Sequence, residues 1–74
     1  MAAIHGTAHH SDGSKIDGSA TVSTSWNGNK AYPRAGHYRL ELGGNPRQKV
    51  TVYVDGKTYT VTHVDGDTCV NIQL

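Results

Sequence analysis

The chain reads as all-β: a small Greek-key-like antiparallel β-sandwich of about seven short strands, closing on a C-terminal three-stranded meander. Three observations predict it. Strand formers dominate, with seven Val, eight Thr, four Tyr and three Ile gathered in short runs, and β-branched and aromatic side chains suit a half-buried pleated surface. Helix formers are scarce: there is one Glu, and nine Gly and two Pro interrupt the 74 residues too often for a long periodic helix. The runs also alternate apolar with polar and are punctuated by Asp-Gly and Asn-Gly, the pattern of antiparallel hairpins.

Taken in order, a first strand is expected around Ala3–Ala8, followed by a Ser- and Gly-containing stretch, His10–Ser19, soft enough to be a mobile loop. Ser19–Trp26 is the next strand, with Ala20, Val22, Thr24 and Trp26 on one side. Trp26-Asn27-Gly28-Asn29 offers a two-residue turn into a short strand near Lys30–Tyr32. His37–Leu42 alternates again, sending Tyr38, Leu40 and Leu42 one way and His37, Arg39 and Glu41 the other. Gly43-Gly44-Asn45-Pro46 then breaks the chain.

The meander follows from two Asp-Gly turns, Val54-Asp55-Gly56-Lys57 and Val64-Asp65-Gly66-Asp67, because a type I′ turn needs positive φ at both central residues. If Val54 faces Lys57, then Val52 faces Tyr59 and Val50 faces Val61. If Val64 faces Asp67, then Val61 faces Val70 and Tyr59 faces Ile72. The two registers agree, so Val50, Val52, Val54, Tyr59, Val61, Val70, Ile72 and Leu74 are expected on one buried face. Lys49, Thr51, Tyr53, Thr58, Thr60, Thr62, Cys69, Asn71 and Gln73 fall on the other. With the earlier strands this makes two apolar faces to bury against each other.

Residues 1–74 form one domain, small enough that its core is thin. The single cysteine, Cys69, allows no internal disulfide. Seven basic and six acidic residues, scattered, give a net charge of +1 and no general pull toward nucleic acid or membrane. The first residues lack a basic start and an apolar run, so no signal peptide and no membrane span is expected, and synthesis is expected in the cytoplasm.

The order of Ile4-His5-Gly6, Asp12-Gly13-Ser14-Lys15-Ile16-Asp17-Gly18-Ser19-Ala20-Thr21-Val22, Gly36-His37-Tyr38-Arg39-Leu40, Val50-Thr51-Val52-Tyr53-Val54-Asp55-Gly56-Lys57 and Val70-Asn71-Ile72-Gln73-Leu74 resembles the carboxypeptidase regulatory-like domains of the transthyretin-like (prealbumin-like) β-sandwiches. Two features depart from the family's pattern: the first strand begins almost at Met1, and Pro33-Arg34-Ala35 replaces the usual approach to the Gly-x-Tyr strand. The resemblance implies a non-catalytic domain that packs, links or presents loops. Transthyretin-like hydrolases carry a Tyr-Arg-Gly-Ser tail, whereas this chain reads Asn71-Ile72-Gln73-Leu74.

Chemistry-bearing constellations are few. His5, His9, His10, His37 and His63 show no zinc spacing, and a metal reading survives only as His5, His9 or His10 gathered from several chains around a symmetry axis. Cys69, expected beside Thr62, has no charge partner to activate it. Asp12, Asp17, Asp55, Asp65 and Asp67 read as turn residues. No catalytic residue, metal ligand or cofactor is therefore expected.

Partner-binding candidates are Trp26, Tyr32, Arg34, Tyr53, Asn45 and Arg47. Trp26 is either a core anchor or an exposed platform. Tyr53 with Thr51, Thr60 and Asn71 would suit a sugar or a protein. The expected function is a structural interaction module, foremost a decoration (cement) protein on a bacteriophage capsid and hence located in the virion, binding the capsid or itself as a homo-oligomer. The alternative is a carbohydrate- or host-surface-binding module. Lys30, Tyr32, Arg34, Tyr38 and Arg39 form only a sparse set for single-stranded nucleic acid.

Overall fold

The computed structural model describes residues 2–18 and 20–74, in eight strands: β1 Ala3–His9, β2 Val22–Thr24, β3 Lys30–Ala31, β4 His37–Glu41, β5 Gln48–Val54, β6 Lys57–Val64, β7 Thr68–Cys69 and β8 Ile72–Gln73. They form two sheets, one in the order β4-β1-β7 with β8 also on β1, the other in the order β3-β2-β5-β6. The fold is thus all-β, a small sandwich. Ser19, the expected first residue of the second strand, lies outside the described residues.

Alternation explains the core. Ile4 and Ala8 of β1, Tyr38 and Leu40 of β4, and Ile72 of β8 point inward from the first sheet, with Leu42 and Val70 beside them. Val22 of β2, Val50, Val52 and Val54 of β5, and Val64 of β6 meet them from the second. Each buried Val, Leu or Ile contributes about 1.5–3 kcal/mol. Ile16 is fully buried as well, although it belongs to the stretch expected to be a mobile loop. That stretch is instead hydrogen-bonded along its length: Ile16 donates to Ala8, accepts from Gly36, and Gly18 donates to Pro33. Asp12 accepts from the Ser14 hydroxyl at 2.6 Å and its amide at 2.9 Å, which holds its carboxyl below the usual 3.8.

The C-terminal segments do not form the expected three-stranded meander. The Asp55-Gly56 turn is as expected, with φ of 53° and 78° and Val54 opposite Lys57. A bulge then shifts the register, so Val52 faces Thr60 rather than Tyr59, and Val50 faces Thr62 rather than Val61. One extra residue reverses which face every later side chain points to. Thr60 and Thr62 consequently turn toward the core side, and Val61 is 55% exposed.

The second Asp-Gly makes no hairpin. Asp65 keeps a negative φ, and the chain crosses to the first sheet, where β7 and β8 run parallel to β1, Ile4 opposite Thr68 and Ala8 opposite Ile72. Val70 and Ile72 are buried as expected, but in the other sheet; Leu74 is exposed. The Asn45 side chain explains the crossing. Its Nδ2 donates to the Asp65 carboxylate at 2.8 Å and its Oδ1 accepts from the Gly66 amide at 2.9 Å, so the β4–β5 connection holds this turn open.

Candidate functional site at the Trp26 end

Three connections meet at one end of the sandwich: 25–29, 42–47 and 65–67. The first departs from the expected two-residue turn. Val22 pairs with Ala31 and Ser23 with Lys30, so Thr24, paired with Val52 instead, ends β2 and residues 25–29 form a wider loop. Asn27 and Gly28 do not take the positive φ that the tight turn requires. Asn27 instead accepts from the Asn29 amide at 3.1 Å and donates to the Leu42 carbonyl at 2.7 Å, while Asn29 Nδ2 donates to the Glu41 carbonyl at 3.1 Å. Two Asn side chains thereby tie the loop to the end of β4.

Trp26 rides on this anchored loop. Its amide donates to Thr24 Oγ1 at 3.3 Å, and its ring edge lies over Gly44, where a Cβ would stand 3.9 Å from Cζ2. The residue is 39% exposed, so Trp26 is partly open to solvent, with an inner edge packed on backbone. Gly44 also accepts from the Ala2 amide at 3.0 Å, fixing the surface beneath. Arg47 is exposed at the same end with φ of 52°, a left-handed conformation that a side-chain-bearing residue seldom adopts.

The other predicted partner residues do not join this set. Asn45 is at this end but is bound internally to Asp65 and Gly66. Tyr32 is 60% exposed at the opposite end, near Arg34, whose backbone closes a two-residue turn with His37 through Ala35 and Gly36 at φ of 51° and 80°. Tyr53 is half-buried on the outer face of the second sheet, opposite Ser23 and Thr58. The sugar-type set is dispersed: Tyr53 and Thr51 share that outer face, the bulge turns Thr60 away, and Asn71 lies on the first sheet beside Thr7.

Cys69 is opposite His5 in the parallel ladder rather than beside Thr62; it is exposed and donates to Asn71 Oδ1 at 3.6 Å. Among the described residues no three His, Cys, Asp or Glu side chains converge on a point. Arg39, on the outer face of the first sheet, pairs with Glu41 at 2.6 Å and Asp67 at 3.4 Å; the Glu41 bond chiefly holds its charge more firmly than usual. A groove of about 330 Å³ at the far end is lined by Val54, Asp55, Lys57, Thr58, Tyr59 and Leu74. Its carboxylate, Asp55, already accepts from the Thr21 amide at 2.9 Å.

Asn27 and Asn29 are the positioning residues that sequence reasoning missed. Flanking Gly28, they read as turn formers; the only hint of a longer reach is that two amides, each able to donate and accept at once, sit one residue apart. Compared with known protein families, curated proteins and solved structures, the chain matches none.

Proposed function

We propose that the chain is a non-catalytic interaction module that decorates a larger protein assembly, with a viral capsid as the assembly and the virion as its place of action. The observation that carries this reading is Trp26: the largest side chain in the protein, partly exposed, on a loop that Asn27 and Asn29 fasten to the neighbouring sheet. A preordered aromatic at the centre of a contact loses little freedom on docking, and Trp and Arg are the side chains that most often dominate interface energies. Arg47 at the same end supplies the second anchor. The resemblance to carboxypeptidase regulatory-like sandwiches agrees with a role in presenting loops.

Co-sedimentation with empty capsids built from the major capsid protein of the same genome tests the reading. The protein is expected to pellet with the shells, and Trp26→Ala to weaken that binding by about 30-fold or more, the cost of a strong interface anchor of about 2 kcal/mol. Unchanged circular dichroism would show that the variant still folds. Tight binding to a defined glycan with no affinity for the shells would replace this reading with the carbohydrate-binding one.

A further inference from the structure

The sandwich manages its strand edges unequally. At the free edge of β4 the Glu41 carbonyl accepts from Asn29 and the Leu42 carbonyl, just past the strand, accepts from Asn27, while Arg34 bonds His37 at the other end. The outer edge of the C-terminal segment meets the Tyr59 hydroxyl, which donates to the Asn71 carbonyl and accepts from the Gln73 amide at 3.0 Å. β3 is only two residues long. β6 is the longest of these edges: eight residues, paired with β5 on one side, with no backbone hydrogen bond to its other side among the described residues. A long, uncovered edge strand is a template for another strand.

The direction of its unpaired groups follows from the ladder. Thr51 turns its backbone toward β2, where its carbonyl accepts from the Ser25 amide at 3.0 Å and its amide donates to Ser25 Oγ. In an antiparallel pair the two opposed residues either both face each other or both face away. Val61, opposite Thr51, therefore directs its N–H and C=O outward, and alternation gives His63 the same orientation. The bulge lies below this stretch, leaving Thr60–Val64 regular.

We propose that two copies of this chain join through β6, antiparallel about a two-fold axis near Thr62, extending each four-stranded sheet into one continuous sheet. That register places Val61 opposite the partner's His63 and His63 opposite the partner's Val61, so the four outward backbone groups of these two residues find partners in each copy. Val61, 55% exposed alone, gains a cross-strand neighbour. Charge favours a second copy in this direction. Lys57 opens β6, no acidic residue lies within the strand, and Asp65 follows its end, whereas Asp67 has crossed toward the first sheet and pairs with Arg39. Antiparallel crossing brings the Lys57 end of each copy to the acidic end of the other, and does so twice because the contact is isologous.

Sedimentation equilibrium over a wide concentration range, paired with amide hydrogen exchange, tests this. The mass is expected to rise from 7.9 kDa to twice that and stop. The Val61 and His63 amides should gain protection as it rises. Val61→Pro removes an N–H that makes no bond within one copy, and Val61→Lys places a charge on the edge; each is expected to raise the dissociation constant at least tenfold. A mass fixed at 7.9 kDa to millimolar concentration, growth beyond a dimer, a dimer whose Val61 and His63 amides stay open to exchange, or a folded Val61→Pro that dimerises like the parent would each overturn the proposal. If Val61→Pro does not fold, exchange in the parent protein decides.

Discussion

Tyr38 is the side chain on which the first sheet turns. It sits opposite Gly6 across the β1–β4 ladder, and its hydroxyl reaches past that glycine to donate to the Val70 carbonyl. The residue is buried, and burial, with smaller contributions from Cys69 and Tyr59, pushes its phenol well above the ordinary 10.0. The sign of the linkage follows. Tyr38 is neutral in the fold, so its contribution is complete below the unfolded value near 10. It is lost as pH rises through the higher folded value. Tyr38→Phe is expected to cost about 1–3 kcal/mol, because the Val70 carbonyl would stay buried without its donor. It should also flatten the loss of stability above about pH 10 in urea titrations; an alkaline limb identical to the parent's would refute the assignment. Asp12, by contrast, is legible from the sequence: a turn aspartate two residues before a serine takes that serine's amide and hydroxyl.

At the level of elements, alternation and turn chemistry made most strands legible. The inward set of β4, the Asp55-Gly56 turn and the inward valines of β5 all stand where the sequence places them. Two events were not legible. Nothing in the composition of Tyr59-Thr60 marks a bulge, since both residues are ordinary strand formers; the packing of Tyr59 against the core, with its hydroxyl on Asn71 and Gln73, accounts for the extra residue. The second Asp-Gly looked identical to the first, and what separates them is Asn45, twenty residues away in sequence. Ile16 was hidden because it is isolated among turn residues and so shows no period. The parallel pairing of β1 with β7 and β8 has its own requirement at Gly6, where a Cβ would lie 2.4 Å from the Val70 carbonyl oxygen. Gly6→Ala is expected to detach the C-terminal segment from β1 while β5–β6 persists, seen as selective loss of amide protection at Val70 and Leu74. Equal loss across both sheets would contradict it.

For the molecule as a whole, the margin is narrow: a domain of this length holds roughly 4–11 kcal/mol. Ile72 is fully buried in the last strand, and Ile72→Ala is expected to cost about 2–5 kcal/mol. That is enough to leave the fold marginal, with Trp26 fluorescence and far-ultraviolet dichroism falling together in urea. A cost below about 0.5 kcal/mol would mean the C-terminal segment is dispensable. The same segment has a mechanical meaning. It lies beside β1 and points the same way, with Ile4 next to Thr68 and His9 next to Gln73. A force applied at residues 3 and 73 therefore slides the two strands along each other, straining every bond of the ladder at once, whereas β5 and β6 held at Gln48 and Val64 peel apart one pair at a time. Stretching single molecules from these two pairs of attachment points should give the higher rupture force for the first, and a protein loaded through its extremities would behave as a tether that resists tension.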